Sequence, residues 1–220
     1  MLAQIALFDG FDPLDAIGSY EVLYAAGMFT DGDVRVELVT AEGPREVPSG
    51  TPPVTLTATG ALDPARADLL VLPGAAGVPG EVPGRPDLVP VEVRLARALE
   101  TGLPRLAGEA MARDDTLVAT VCGGSLLLAM AGLAKGRPAT GHGLTPDVLR
   151  ENGAVPVDAR VVDDGDLVTG AGVTSGIDLA LHLVDREIGP RVAHAVETLF
   201  HHERRGTVWS PGGRTPTLTL

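Results

Sequence analysis

Leu117-Val118-Ala119-Thr120-Val121-Cys122-Gly123-Gly124-Ser125-Leu126-Leu127-Leu128-Ala129-Met130-Ala131 decides how this chain is read. The first five residues are a short apolar run of the kind buried inside a parallel sheet, and residues 126–131 begin a helix. Only Cys122-Gly123-Gly124-Ser125 separates the two. Cys122 therefore stands on a strand-to-helix turn at the carboxyl edge of a sheet, and the small residues after it let the backbone fold back without a clash. The following helix aims its first amides and its positive dipole end at the sulfur. That placement predicts an exposed thiol with a lowered pKa and amide donors beside it.

Working outward, apolar β-type runs recur at residues 5–8, 34–40, 69–72, 117–121 and 167–169, with helical patterns between most of them. The alternation predicts an α/β fold, a mostly parallel sheet with helices on both faces. Residues 15–26 place Ile17, Tyr20, Leu23 and Tyr24 on one stripe of a helix that Asp15 begins. Ser175-Gly176-Ile177-Asp178 has capping-box spacing and leads into the stripe Ile177, Leu181, Val184 and Ile188. Between residues 43 and 64, Pro and Gly break a stretch with β character at 54–57, which suits a hairpin outside the main sheet. Residues 79–90 read as an irregular loop leading into a helix at 91–100. No fixed repeat and no interior linker appear, so residues 1–205 form a single domain and 206–220 a C-terminal tail without periodicity.

The 220 residues are 45% hydrophobic, enough for one sizeable core, and no run approaches the length of a membrane span. The N-terminus starts on strand-like residues instead of a signal peptide, which predicts a cytoplasmic protein. A formal charge of −12 repels phosphate backbones and anionic membrane surfaces, so neither nucleic acid nor membrane is an expected partner. Lys135 is the sole lysine, a bias that points to a GC-rich bacterial genome. A lone cysteine excludes an intrachain disulfide and any zinc site of several thiolates.

Other candidates gather at the same sheet edge. Leu70-Val71-Leu72-Pro73-Gly74-Ala75-Ala76-Gly77 is a strand ending in a glycine turn, and free amides near Gly74 and Ala75 would join that of Gly123 to bind an anionic oxygen. Asp15 follows the first strand, where it either caps the helix or serves as an acid. His142 lies past a short extended segment that returns to this edge. His182 falls between the apolar positions of its helix, and His201-His202-Glu203-Arg204-Arg205 reads as a charged helix end. No His, Asp and Glu set has metal-ligand spacing, and no cofactor is expected.

Together these pieces resemble the ThiJ/PfpI superfamily, similar in fold to class I glutamine amidotransferase domains. The matching pieces are Leu14-Asp15-Ala16-Ile17-Gly18, Leu72-Pro73-Gly74, Val121-Cys122-Gly123-Gly124-Ser125, Ala139-Thr140-Gly141-His142 and Gly172-Val173-Thr174-Ser175-Gly176-Ile177-Asp178. The resemblance implies a flavodoxin-like α/β sheet with a nucleophile elbow at Cys122. Within the superfamily the chain is similar to isonitrile hydratases and to the amidase-like half of AraC-type regulators. It implies Cys122 as nucleophile, Asp15 as its acidic partner, His142 nearby, backbone donors at Gly74, Ala75 and Gly123, and a homodimer. Gly123 stands where the hydratase pattern has threonine, and Gly143 where both branches have a bulky aromatic, a change that should enlarge or open the pocket.

The function expected from this resemblance is hydration of a small-molecule isonitrile to an N-substituted formamide. Two alternatives stand beside it: glyoxalase-like chemistry on 2-oxoaldehydes with His142 as base, and a ligand- or redox-sensing module without turnover. A DNA-binding role is disfavoured, because the fifteen residues after Arg205 are too few for a helix-turn-helix. Nothing indicates a peptide groove, which disfavours a protease.

Overall fold

The computed structural model describes residues 1–143 and 145–214. In chain order its elements are β1 (Leu2–Ala6), α1 (Pro13–Met28), β2 (Arg35–Thr40), β3 (Arg45–Pro48), β4 (Thr55–Ala58), β5 (Gly60–Ala61) and β6 (Leu69–Leu72). There follow α2 (Val91–Leu99), α3 (Leu103–Met111), β7 (Leu117–Val121), α4 (Gly124–Met130), β8 (Pro138–Ala139), α5 (Pro146–Glu151) and β9 (Val155–Pro156). The chain closes with β10 (Val161–Asp163), β11 (Leu167–Gly170), α6 (Ser175–Glu187) and α7 (Pro190–Phe200).

Seven of these strands form one sheet in the order β10-β11-β7-β6-β1-β2-β5. Every neighbouring pair is parallel except β10 with β11. The inner strands β1, β6 and β7 are apolar except at Gln4 and Thr120, because helices cover both faces. Helices α1, α6 and α7 pack together on one side, and α2, α3 and α4 on the other. Parallel register brings the carboxyl ends of β1, β6, β7 and β11 to one edge: Ile5 lies beside Val71, Leu72 beside Thr120, and Val121 beside Gly170. The mostly parallel α/β fold expected from the alternation is the fold observed.

Several local readings need correction. The first strand begins at Leu2, earlier than the apolar run at 5–8 suggested. Helix α1 is capped by Asp12, whose carboxylate accepts from the Leu14 amide at 2.9 Å, so Asp15 lies inside the first turn and is no cap. The buried face of α1 carries Asp15, Ala16, Ser19, Val22, Leu23 and Ala26, while Tyr24 is 56% exposed. Small residues there let α1 and α6 approach closely, as Gly18 does against Ile177. Nor does Asp178 complete a capping box. It is buried and accepts from Arg160, from His202 Nε2 at 2.9 Å and from the Arg205 amide at 3.1 Å. These bonds tie α6 to the chain beyond α7; against burial, which raises it, the bonds from His202, Arg160 and the Arg205 amide hold the Asp178 carboxyl below the usual range.

The hairpin expected around 54–57 is β3 paired antiparallel with β4, outside the main sheet. Of the tail, Trp209 bridges Val162, with its amide on the Val161 carbonyl at 3.0 Å and its carbonyl taking the Asp163 amide at 2.8 Å. Residues 215–220 lie outside the described residues. Among the described residues, no helix is long and apolar enough to cross a membrane.

One glycine fixes the elbow. A Cβ on Gly124 would stand 2.2 Å from the Leu72 carbonyl oxygen, an approach that only hydrogen allows. Gly124→Ala is expected to cost about 2–3 kcal/mol by overpacking against backbone that cannot turn away. For a chain of this size that lowers Tm by about 5–10 °C in a calorimetric scan.

Candidate active site

β7 ends at Val121 and α4 begins at Gly124, leaving two residues to reverse the chain. Cys122 takes φ +55°, the left-handed region that a residue with a Cβ rarely adopts, while its amide extends the ladder to the Gly170 carbonyl at 3.1 Å. The turn is braced from beneath by Thr120 Oγ1 and Ser125 Oγ, 2.6 Å apart and both buried. Strain of this kind persists only where the surroundings over-determine it.

Cys122 is 6% exposed and lines a cavity of about 570 Å³. Leu95, Leu99, Leu126, Met130, Val148 and Val173 supply much of its apolar wall. Asp12, Glu92, His142, Thr145 and Asn152 supply the polar side chains. Neither Lys nor Arg lines it among the described residues.

Asp15 is fully buried behind the elbow. Its Oδ2 accepts from the Gly74 amide at 2.8 Å, while Oδ1 is buried with no hydrogen-bond partner among the described residues. Burial, helped by the nearby Asp12 charge and opposed by the Gly74 amide, raises the carboxyl to about 8. Asp15 therefore keeps its proton at neutral pH. Gly176 helps to seat it, since a Cβ there would stand 3.1 Å from Ser19 Oγ and 3.4 Å from the Asp15 carbonyl.

The lowered thiol pKa expected from the helix N-terminus is overturned. Burial and the negative charge of Asp15 push the Cys122 thiol well above its ordinary value, and the amides of Gly123 and Val173 offset only part of that. The first turn of a seven-residue helix does not replace the water that the sulfur has lost. With Asp15 protonated, the charge that opposes thiolate formation disappears, so the two groups titrate as a pair.

Of the residues singled out from sequence, Cys122, Asp15, Gly74, Ala75, Gly123 and His142 all come to this edge. The Gly74 amide, expected as a free donor, is spent on Asp15. Ala75 and Gly123 remain beside the sulfur, with the Ala75 amide 3.5 Å from where a Gly123 Cβ would be. His142 lines the cavity wall, its Cδ2 3.9 Å from a Cβ built on Gly172. Gly143 is exposed, and a Cβ there would meet nothing within 4 Å. It lines a neighbouring cavity of about 360 Å³ that shares His142, so the missing aromatic leaves the rim on that side open. Sequence reasoning missed Val173, whose contribution is a backbone amide and whose only signal was its place in the Gly172–Asp178 motif. It also missed Asp12, which lines the cavity and whose charge acts on both Asp15 and Cys122.

A model of the DJ-1/PfpI family matches residues 3–186. The chain is 35% identical over 198 residues to an isonitrile hydratase of Pseudomonas putida, covering 87% of this chain and 74% of that one. It is 31% identical over 197 residues to the HTH-type transcriptional regulator CdhR of Pseudomonas aeruginosa, where it spans 88% of this chain but only 53% of the regulator. Among solved structures, a ThiJ/PfpI family protein from Pseudomonas syringae superposes with a TM-score of 0.75 at 25% identity, over 93% of this chain and 76% of that one.

Proposed function

We propose, from the premise that the chain belongs to the DJ-1/PfpI family, that it is a cysteine-dependent enzyme that hydrates a neutral, apolar isonitrile to an N-substituted formamide. The observation that carries this reading is the buried Asp15, protonated at neutral pH and seated behind a buried thiol. The similarity to an isonitrile hydratase supports it, as does a largely apolar cavity that offers no Lys or Arg to an anionic substrate.

An isonitrile carbon is a weak base and, once protonated, a strong electrophile. Asp15 donates its proton to that carbon, and Cys122 sulfur bonds to it as the thiol proton returns to Asp15. The product is a thioimidate, R–N=CH–S. Water then adds to the same carbon, nitrogen gains a proton, the C–S bond breaks, and the formamide leaves with the thiol restored. The cycle consumes one isonitrile and one water and needs no oxidant, metal or organic cofactor. A thiol that ionises only as substrate is protonated suits the raised pKa of both groups. Amides of Ala75, Gly123 and Val173 steady charge on sulfur and on the adding water. The reading includes a homodimer, supported by the exposed Tyr24, Met28 and Phe29 at the end of α1.

The test is steady-state conversion of an aryl isonitrile, followed by chromatography of the formamide, with methylglyoxal assayed in parallel. Formamide produced at a rate proportional to enzyme is the expected result. Turnover of methylglyoxal alone would replace this reading with the glyoxalase-like one. Saturable binding of the isonitrile without product would make the protein a sensor.

A further inference from the structure

A second cleft, about 590 Å³, lies across α2 from the Cys122 cavity. Helix α2 turns Val91, Leu95 and Leu99 to the cysteine side and Arg94, Arg97 and Ala98 to this one. The Arg94 side chain runs over two glycines. A Cβ on Gly10 would stand 2.9 Å from Arg94 Cδ, and one on Gly50 would stand 2.5 Å from its Nη1. Bare backbone at both positions makes room for this guanidinium.

Among the described residues the guanidinium has no counterion. Arg94 Nε is buried without a hydrogen-bond partner, and among the described residues no carboxylate pairs with Arg94 or with Arg97. Ten other arginines each hold a carboxylate in this acidic chain. The two carboxylates that do line the cleft are committed to Arg45, Asp9 at 2.6 Å and Glu42 at 3.3 Å. Three guanidiniums thus face two carboxylates, and the uncompensated charge sits on Arg94 and Arg97. Burial and the Arg97 charge both disfavour the charged form of Arg94. An arginine cannot escape this by losing its proton, so leaving it unpaired has a standing cost that an incoming anion removes.

We propose that this cleft is a binding site for an oxyanion, a carboxylate or phosphoryl group, held between the guanidiniums of Arg94 and Arg97. Planar, forked donors suit both anions, and two adjacent forks suit a group presenting two or three oxygens. The site is separate from the cysteine cavity and stands whether or not the protein turns over an isonitrile.

Thermal unfolding and titration calorimetry of the full chain, with inorganic phosphate and with succinate at ionic strength fixed by sodium chloride, test it. At least one anion is expected to raise Tm above the chloride baseline, and which one does so identifies the source of the oxyanion. Arg97→Gln is exposed and carries no folding risk. It and Arg94→Gln are each expected to weaken binding about tenfold or more. Without added anion, Arg94→Gln is expected to melt at the wild-type temperature or above it, because the substitution removes an unpaired charge. Arg191→Gln, an exposed arginine of α7 in a different cleft, should respond as wild type. No stabilisation beyond chloride by either anion, or stabilisation that survives in Arg97→Gln, would overturn the proposal. So would equal loss of response in Arg191→Gln.

Discussion

Replacing Cys122 with alanine is expected to lower isonitrile turnover by roughly 10⁴-fold or more, because without the sulfur no thioimidate forms and water must attack the carbon unaided. Cys122→Gly should be equally inactive. The two variants separate on stability. At φ +55° alanine keeps the left-handed strain and glycine relieves it, so Cys122→Gly is expected to exceed Cys122→Ala by about 1 kcal/mol. An inactive protein whose backbone is more comfortable at this position is what the reading requires, since the strain then serves the placement of the sulfur. A folded Cys122→Ala protein retaining more than a hundredth of wild-type turnover would remove the thiol from the reaction. Alkylation offers a milder check. The buried, raised thiol should react with iodoacetamide far more slowly at pH 7 than a free cysteine, and faster only well above that pH.

The sheet was legible because its inner strands carry one message. Leu69–Leu72 is an uninterrupted apolar run and Leu117–Val121 is broken only by Thr120, each with glycine close behind, and buried parallel strands read that way whatever packs on them. The elbow was legible for the same reason, as four residues cannot hide between a strand and a helix. Helix α1 was legible as a helix but its buried face was not. Ala16, Gly18 and Ser19 face inward because α6 comes close, and periodicity of large apolar residues cannot report contact made by small ones. From sequence Asp15 stood as either cap or acid with Asp12 not weighed, and the structure gives the cap to Asp12, with Pro13 starting the helix. The direction of the thiol shift was beyond reach for a different reason. The N-terminal dipole is a local property of sequence, whereas the desolvation that overrides it depends on what α1, β6 and β11 bring to the elbow. Amide roles such as those of Gly74 and Val173 carry no side-chain signal at all.

Asp15→Asn is expected to reduce turnover by about 10²–10⁴-fold, the range in which a positioned proton donor contributes to rate. Asparagine keeps the size of the side chain and an oxygen for the Gly74 amide, so the loss isolates the proton. The pH profile makes the same point on wild type. With Asp15 titrating near 8, activity should hold through neutral pH and fall as pH rises past that value, since the ionised carboxylate has no proton to give and repels a forming thiolate. Stability moves with it. The folded pKa is raised above the unfolded value, so the contribution of Asp15 is complete below about pH 4 and is lost progressively as pH rises to about 8. A shift of this size corresponds to roughly 6 kcal/mol at the alkaline end, at about 1.4 kcal/mol per pH unit. Asp15→Asn cannot ionise and escapes that loss. Denaturant unfolding at pH 5 and pH 9 should therefore show wild type losing more stability across the interval than the variant does, and the variant the more stable of the two at pH 9. A variant that is less active and more stable at alkaline pH has lost a working acid. Equal pH dependence of unfolding in the two proteins would mean that Asp15 is ionised in the fold, and near-native turnover by a stable Asp15→Asn protein would move the proton to His142, the histidine on the cavity wall.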